Sequence, residues 1–393
     1  MTVAELARRP RVVYIATDPL TAFRLMDGQL AFMQAQGFDV SVITAPGPRL
    51  DAAAAREGVT AFGVPMKRDP SPLKDLASLV RLVATLRRLR PDIVNAGTPK
   101  AGLLGVMASR LAGVPVVVYL LRGLRFEGAV GVKRLILAAT EHIAGGFSHR
   151  VFVNSESLRQ RFVALGCAPS SKTWVPGEGS SNGVEVERFA ATPERSAWAA
   201  SERSLLGIEP DAVVIGFVGR FVRDKGLVEL MEAFREALRA VPTLRLLLVG
   251  DHDATDPLPD DVVRFIASDR RVVATGFVEE PARYYWLMDI LAFPSYREGF
   301  PNAPLEAAAA GLPVVAFRAT GTVDAVVDGK TGRLVAAKDA SGLARALLAY
   351  ARDPALRRAH GAAGAARVTK AFRREVVWQA LAAEYRRLLR ERR

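Results

Sequence analysis

Short runs of apolar, β-branched residues alternate with amphipathic stretches along most of the chain. Residues 11–16 (RVVYIA) and 39–44 (DVSVIT) are typical of buried strands, and residues 21–36 between them have a helical periodicity that ends at Gly37. The same pattern predicts further strands at 92–94, 114–121, 150–153, 213–218, 244–249, 271–274, 290–293, 313–317 and 333–335. Regular alternation of strands and helices predicts parallel sheets that are covered by helices on both faces.

The predicted strands fall into two series. They are separated by residues 177–183 (GEGSSNG) and by a polar stretch that continues to about Asp211, which we interpret as a linker or hinge. The fold class is therefore α/β, with two Rossmann-like domains at residues 1–183 and 184–370 and a cleft between them. A basic helix over residues 371–393 is expected to pack back on the first domain. Ligands of such sheets bind beyond the carboxyl ends of the strands.

Two glutamates flank the loop after the predicted strand at 290–293. Glu298 and Glu306 are separated by Gly-Phe-Pro-Asn-Ala-Pro-Leu, and a helix is predicted to begin near Asn302. The amides of its first turn attract anions, and Glu306 could accept hydrogen bonds from a sugar diol. Taken alone, the pattern also fits an ordinary helix start with solvated glutamates.

Two cations follow the first strand of the second series. Arg220 and Lys225 lie five positions apart in the sequence Gly219-Arg-Phe-Val-Arg-Asp-Lys-Gly226. In a strand-to-helix turn, both side chains could face one cleft and neutralise a diphosphate, the guanidinium as a fork and the ammonium as a point charge. Without the two glutamates, this turn would fit a solvated surface loop.

Together with Gly250-Asp251, Gly276-Phe277 and Pro294-Ser295, these motifs resemble the retaining GT-B glycosyltransferases of family four. The first domain is similar to one subgroup of that family, which builds capsule, O-antigen and related glycans on polyprenyl-diphosphate lipids. The stretches that carry this second resemblance are Asp92-Ile93-Val94, the residues 98–105 (TPKAGLLG), 123–127 (GLRFE) and 179–184 (GSSNGV).

The resemblance implies a role for particular residues. Arg220 and Lys225 would hold the donor's diphosphate and stabilise the leaving group, and Glu298 would face the donor sugar as the third catalytic residue. The remaining donor-binding positions that it implies are Gly219, Phe277, Val278, Gly299, Phe300, Pro301, Asn302 and Glu306, with Glu306 on the ribose and Phe277–Val278 at the base. Positions on the acceptor side are Lys100, Arg122 and Glu127.

No cofactor and no metal is implied, because cations and a helix N-terminus take the place of a metal ion beside the diphosphate. The Asp251-His252-Asp253 stretch resembles a metal-binding D-x-D motif, but we interpret it as a loop.

The chain departs from many relatives at Arg122. Those relatives place a histidine after the strand that corresponds to 114–121, and their second histidine-containing stretch reads Asn95-Ala96-Gly97 here. A guanidinium stays protonated and cannot act as a general base, although it can donate hydrogen bonds to a sugar or a lipid diphosphate. The expected mechanism is therefore front-face attack, in which the departing diphosphate accepts the acceptor's proton.

The amino-acid composition limits the classes of binding partner that are expected. The 393 residues include 54 Lys and Arg against 41 Asp and Glu, a formal net charge of +13 whose excess lies mainly in residues 1–176 and 367–393. Arg- and Lys-rich amphipathic residues 73–90 predict either an ordinary surface helix or a face for anionic lipid. Binding of nucleic acid is not expected, because no aromatic residues are interspersed among the basic ones.

A single cysteine, Cys167, excludes a disulfide framework.

The resemblance implies transfer of a hexose or N-acetylhexosamine, with retention of configuration, from a UDP-sugar to a lipid-linked (polyprenyl-diphosphate) saccharide in envelope or exopolysaccharide synthesis. The expected location is cytoplasmic and peripheral on the inner face of the membrane, since no signal peptide or spanning segment is read from the sequence. Three alternatives stay open: a transferase with a small soluble acceptor, a non-hydrolysing UDP-sugar epimerase, and an inactive nucleotide-sugar-binding protein.

Overall fold

The computed structural model describes residues 8–67, 69, 71–180 and 182–392. The chain folds into two compact units: unit 1 combines Met1–Gly183 with Arg374–Arg393, and unit 2 is Val184–Arg373. Residues 1–7 of the predicted first domain, Ser181 of the 179–184 motif and Arg393 of the predicted last helix lie outside the described residues.

Unit 1 is built on a parallel sheet. Its strands β1 to β7 are Arg11–Ile15, Asp39–Thr44, Thr60–Gly63, Ile93–Gly97, Val116–Leu121, Arg150–Val153 and Thr173–Trp174. They are ordered β3-β2-β1-β4-β5-β6-β7, and every neighbouring pair runs parallel. The predicted strands all form within two or three residues of the expected bounds, because buried parallel strands are continuous apolar runs. The short edge strands β3 and β7 were not predicted.

Helices cover both faces of this sheet. The helices α1 to α6 are Gln29–Ala35, Pro48–Glu57, Pro72–Leu89, Pro99–Leu111, Gly131–Phe147 and Glu156–Ala164. The continuous helix that was expected over residues 21–36 is wrong: a π-helical turn, Thr21–Leu25, is followed by a break and then by α1. The break occurs because Gly28 adopts φ +74°, and a Cβ there would lie 2.9 Å from the ring of Trp378.

Unit 2 contains the second parallel sheet. Its strands β8 to β13 are Val214–Val218, Arg245–Val249, Val272–Ala274, Ile290–Phe293, Val314–Phe317 and Gly332–Val335. They are ordered β10-β9-β8-β11-β12-β13, and the six predicted strands of the second series correspond to them. The expected α/β fold with two Rossmann-like domains is confirmed.

The helices of unit 2 include one that sequence reasoning missed. The helices α7 to α13 are Pro193–Leu205, Leu227–Ala240, Asp260–Ser268, Asn302–Ala309, Thr322–Ala325, Ala340–Arg352 and Pro354–Ala371. Helix α7 lies in the stretch that was interpreted as a linker up to Asp211, so that interpretation is wrong. The helix is fixed by long-range packing, since the Trp198 ring meets the Trp286 ring edge-on at 5.9 Å.

The last helix, α14 (Arg374–Glu391), belongs to unit 1, which confirms the expected return of the chain. It begins three residues later than predicted, because α13 continues to Ala371. The hydroxyl of Tyr385 accepts a hydrogen bond from Asn95 Nδ2 at 2.6 Å, and Trp378 Nε1 donates to Asn182 Oδ1 at 2.8 Å. Helix α14 therefore completes the core on one face of the first sheet.

Within the described residues, we find no helix that combines the length and the apolar character needed to cross a bilayer.

Candidate functional site

The turn after β8 carries a cation that is held by the loop after β11. Lys225 Nζ lies 2.5 Å from Glu298 Oε1, and both side chains are about four-fifths buried. Ser295 Oγ donates to the same carboxylate oxygen at 2.8 Å. The two loops approach closely because residue 226 is glycine with φ +70°, and a Cβ there would overlap the carbonyl oxygen of Pro294. Two residues that lie 73 positions apart in the chain are thus brought into one site.

A second ion pair links the loops after β8 and β11. Arg297 Nε and Nη2 donate to the carboxylate of Asp224 at 3.0–3.3 Å, and the amide of Tyr296 donates to the Asp224 carbonyl at 3.1 Å. A bidentate guanidinium–carboxylate pair restricts geometry as well as adding attraction. Because Asp224 directly precedes Lys225, these contacts also fix the position of Lys225.

Helix α10 begins at Asn302, as predicted, and no side chain caps its N-terminus. Its first turn contains no acidic residue, so the positive end of the helix dipole is not neutralised from within the helix. Phe300 and Pro301 are buried, and the Phe300 ring packs on Phe372 at 5.4 Å. Gly321 lies so close behind the loop that a Cβ there would be 2.6 Å from the Gly299 carbonyl oxygen. The loop is thereby held at a defined position before the helix.

Glu306 lies one turn into α10 and is positioned by a buried tyrosine. The hydroxyl of Tyr285 donates to Glu306 Oε2 at 2.7 Å. Burial of the phenol, reinforced by the nearby carboxylate, raises the pKa of Tyr285 well above its ordinary value. The tyrosine therefore stays a hydrogen-bond donor at any physiological pH and orients the glutamate.

Arg220 lies at the start of the turn after β8 and binds a different partner. Its Nη1 donates to Asp253 Oδ2 at 2.6 Å, and its side chain is 60% exposed. The pKa of Asp253 is lowered well below its ordinary value, first by hydrogen bonds from the hydroxyl and amide of Thr255 and then by Arg220. Asp253 thus orients Arg220, which gives the D-x-D-like stretch a role within its loop.

The predicted base-binding residues follow β10. Gly250 and Gly276 form an isolated antiparallel bridge, so the loops after β9 and β10 lie side by side. Phe277 comes directly after Gly276 with its side chain 64% exposed, and Val278 is half-buried. An exposed aromatic ring at the carboxyl edge of a sheet is suited to stacking on a flat ligand.

The predicted acceptor-side residues belong to unit 1 and have different surroundings. Lys100 Nζ is bonded to Asp75 Oδ1 of α3 at 2.7 Å, and Glu127 Oε1 accepts from Arg161 Nε at 2.9 Å. Arg122 directly follows β5 and is half-buried, and its Nε and Nη2 atoms are inaccessible to solvent and have no hydrogen-bond partner among the described residues. The stretch Asn95-Ala96-Gly97, which was expected to follow a strand, lies inside β4 with Asn95 bonded to α14.

Several residues that organise the unit 2 site were given no role in the sequence analysis, although Asp224 and Ser295 lie within its motifs. They are Asp224, Tyr285, Ser295, Arg297 and Gly321. Asp224 and Arg297 directly precede Lys225 and Glu298, so a charge of opposite sign beside each predicted residue was a usable signal. Tyr285 carries no such signal, because its contact with Glu306 exists only in the folded chain.

The arrangement in unit 2 can bind an anion next to a hydroxylated ligand. Lys225, Arg220 and the amides at the start of α10 supply positive charge at the carboxyl edge of the sheet, and the carboxylates of Glu298 and Glu306 supply acceptors for hydroxyl groups. In the part of the chain that the structure describes, no three His, Cys, Asp or Glu side chains are grouped so that they could hold a metal ion.

Two family models match the chain. Residues 26–177 match the "Glycosyl transferase 4-like domain" and residues 212–353 match "Glycosyl transferases group 1". Between them, these segments cover most of both units.

Two curated proteins are similar along most of their length. The Staphylococcus aureus capsular polysaccharide biosynthesis glycosyltransferase CapM is 33% identical over 367 residues, which cover 93% of this chain and 94% of that protein. The Escherichia coli UDP-Gal:alpha-D-GlcNAc-diphosphoundecaprenol alpha-1,3-galactosyltransferase is 28% identical over 325 residues, or 81% of each chain.

The fold is also found in solved structures. The Anabaena protein HepE, crystallised with UDP and glucose, superposes with a TM-score of 0.78 at 21% identity, covering 95% of this chain and 99% of that one.

Proposed function

Because this chain belongs to the glycosyltransferase group 1 family and has the GT-B fold of such enzymes, we propose that it transfers a sugar from a UDP-sugar to a lipid-linked acceptor. The transferred sugar is a hexose or N-acetylhexosamine, and its configuration is retained. The acceptor is a polyprenyl-diphosphate-linked saccharide. The proposed role is envelope or exopolysaccharide synthesis. The observation that carries it is the pairing of Lys225 with Glu298 beside the uncapped start of α10, with Glu306 one turn further on.

The chemistry follows from these groups. The acceptor hydroxyl attacks the anomeric carbon on the face from which the diphosphate leaves, the bond from that carbon to the phosphate oxygen breaks, and the departing diphosphate takes the hydroxyl proton. Lys225 and Arg220 neutralise the charge that grows on the leaving diphosphate, and the α10 amides add to this stabilisation. Glu298 orients the donor sugar, Glu306 the ribose, and the ring of Phe277 the base. In this proposal no metal ion takes part.

The names of the relatives support the choice of donor and acceptor. The Escherichia coli relative is named for UDP-Gal as donor and for a GlcNAc-diphosphoundecaprenol acceptor, and the Staphylococcus aureus relative is named for capsular polysaccharide biosynthesis. Both proteins align with this chain through unit 1 as well as unit 2, which is what a shared class of acceptor requires.

A two-step assay tests the proposal. Thermal shifts with UDP, GDP and TDP sugars identify the donor, and turnover is then measured with a short-chain prenyl-diphosphate-GlcNAc or a soluble saccharide as acceptor. We expect a UDP-sugar to bind, transfer to the lipid-linked acceptor in EDTA, and an unchanged anomeric configuration by NMR. Transfer to the soluble saccharide alone, conversion of the donor without acceptor, or binding without any turnover would each replace this proposal with a different function.

We further propose that unit 1 lies on the anionic inner face of the cell membrane. On α5, Val132, Leu135 and Ile136 are 50–71% exposed beside the exposed cations Lys133 and Arg134. On α3, the exposed apolar positions Leu73, Leu76 and Val80 share one helix face. Both helices pack on α4. Exposed apolar stripes with flanking cations match the chemistry of an anionic bilayer surface.

Liposome co-sedimentation tests this contact. Leu135→Ser/Ile136→Ser is expected to reduce binding to vesicles that contain phosphatidylglycerol, because it removes the apolar part of the contact while keeping the charge. Replacing Arg87, Arg88 and Arg90 by Glu is expected to reduce it as well. The matched control is Leu205→Ser, which changes an 80% exposed leucine of unit 2 and should leave binding unaltered. Equal binding to neutral and anionic vesicles would contradict the proposal.

A further inference from the structure

A cavity of about 670 Å³ lies beside β13, the edge strand of the second sheet. Its walls are formed by β13, by the turns before and after this strand, and by the first two turns of α12 and of α13. Among the described residues that line it, none is a residue that we propose for binding the donor. Strand β12 separates β13 from β11, which places β13 about 10 Å from the strand that precedes Glu298. The cavity is therefore distinct from the donor site, and it is large enough for a small metabolite.

Two accessible guanidinium groups line this cavity. Arg333 is exposed and makes no ion pair among the described residues, and its guanidinium carbon lies 6.0 Å from the centre of the Tyr350 ring. Arg345 is 69% exposed, and its Nη2 lies 3.8 Å from Asp339 Oδ2, which is too far for a hydrogen bond. Both cations are therefore available to an anion that enters the cavity.

The cavity is also lined by His360, which is a neutral hydrogen-bond donor. Burial and the nearby Arg333 lower the pKa of His360, so its ring is uncharged at physiological pH. Burial raises the pKa of Tyr350 to about 12, so the hydroxyl of Tyr350 keeps its proton and donates it to His360 Nδ1 at 2.6 Å. The proton of the imidazole is then on Nε2. His360 thus adds one more donor to the lining that carries the two guanidinium groups.

Two carboxylates in the lining are already held by donors of the protein. Asp328 accepts from Arg318 Nη2 at 2.7 Å and from the amide of Leu334 at 2.9 Å, and Asp339 Oδ1 accepts from the amide of Gly342 at 2.7 Å. These contacts leave the charge of Arg333 without a counter-ion. Asp328 is exposed and Asp339 is half-buried, and an ionised carboxylate has about four acceptor positions, so both can accept further hydrogen bonds from hydroxyl groups.

The lining thus combines donors for an oxyanion with acceptors for hydroxyl groups. A guanidinium binds a phosphoryl group in a fork, and a phosphate monoester carries between one and two negative charges at neutral pH. Inorganic phosphate alone would leave most of the volume and both carboxylates unused. A sugar that carries one phosphate supplies the anion, the hydroxyl groups and the size.

We propose that this cavity binds a phosphorylated hexose, with Arg333 and Arg345 on the phosphate. The hydroxyl groups of the sugar donate to Asp328 and Asp339. This second ligand site of unit 2 goes beyond the proposed transfer reaction and does not depend on it, because it shares no residue with the donor site.

Calorimetric titration of the full chain, with the donor site saturated by UDP, tests the site. The probes are glucose 6-phosphate, glucose 1-phosphate, inorganic phosphate and glucose. We expect at least one of the two sugar phosphates to bind tenfold or more tightly than inorganic phosphate, and glucose not to bind. Absence of binding by both sugar phosphates, or equal binding of sugar phosphate and inorganic phosphate, would overturn the proposal.

Single substitutions locate the bound ligand. Arg333→Gln and Arg345→Gln are each expected to weaken binding of the sugar phosphate by fivefold or more and to leave the affinity for UDP unchanged, which also reports that unit 2 is folded. The matched control is Arg358→Gln, which removes an exposed cation of α13 outside the cavity and should bind like the wild type. Because Arg345 makes only a long ion pair, Arg345→Gln remains informative if Arg333→Gln does not fold. Wild-type affinity in Arg345→Gln would refute the site.

A titration without UDP separates this cavity from the donor site. Lys225→Ala is expected to bind the sugar phosphate as the wild type does, since Lys225 does not line the cavity. If Lys225→Ala abolishes that binding, the sugar phosphate occupies the donor site and the second site is wrong, whereas the proposed transfer reaction is unaffected.

Discussion

Lys225→Ala is expected to lower the turnover number by about two orders of magnitude or more, the effect of losing one preorganised group that stabilises developing charge. Its ammonium lies on the loop after β8, 2.5 Å from the Glu298 carboxylate, in a setting that is mostly screened from solvent. In the proposed reaction, this charge is applied to the departing diphosphate when it is most negative. Initial rates at saturating donor measure the effect, and a similar loss is expected for Arg220→Ala.

The control for this experiment is a cation in the same turn. Arg223 donates from Nε to the Pro257 carbonyl at 2.7 Å, and Arg223→Ala should retain close to wild-type turnover. Removing Lys225 also leaves Glu298 without its ionic partner, so the double variant Lys225→Ala/Glu298→Gln is needed. If the double variant recovers the wild-type rate, Lys225 only neutralises Glu298, and its role on the diphosphate is refuted.

Trp378→Ala is expected to destabilise unit 1 by about 3–5 kcal/mol, the usual effect of removing a large buried aromatic side chain. The indole is 6% exposed, its Nε1 donates to Asn182, and its ring lies 5.3 Å from the ring of Phe32. Truncation leaves a cavity beside Gly28 and an unsatisfied amide oxygen at Asn182. Urea unfolding, followed separately for the two units by limited proteolysis, measures the loss.

Position 376 offers a matched control on the same helix. Val376 is 36% exposed, and Val376→Ala should change the stability by less than about 0.5 kcal/mol. UDP affinity should be unaltered in Trp378→Ala, since the proposed donor residues all belong to unit 2. If Trp378→Ala lowered the free energy of unfolding as little as Val376→Ala, α14 would contribute little to the core of unit 1.

Sequence reasoning succeeded where physical signals are local. The strand Ile290–Phe293 and the start of α10 at Asn302 were predicted at their observed bounds. A buried apolar run predicts the strand, and a proline-rich segment predicts the helix start, and both patterns need only a few residues. It failed where distant residues decide. The break before α1 depends on Gly28 meeting Trp378, 350 positions away, and α7 depends on packing between Trp198 and Trp286.

The residues of the candidate site could also be predicted from the sequence only in part. The residues at 220, 225, 298 and 306 could be predicted because the two cations and the two glutamates occur together in motifs that resemble those of a known family. Their partners were not, since the contacts of Arg220 with Asp253 and of Glu306 with Tyr285 join separate loops and helices. For Arg122, the sequence showed a guanidinium where relatives have histidine, and only the folded chain showed that two of its nitrogens are buried without a partner.

The position of α14 has a consequence for biosynthesis. Unit 1 is assembled from two stretches of chain, and the second, Arg374–Arg393, follows the whole of Val184–Arg373. The ribosome therefore synthesises every residue of unit 2 before it makes the helix that contains Trp378 and Tyr385. Until then, the apolar surface of the nascent first sheet that α14 will cover is open to water and to chaperones. The core of unit 1 is therefore completed only after the whole chain of unit 2 has been synthesised.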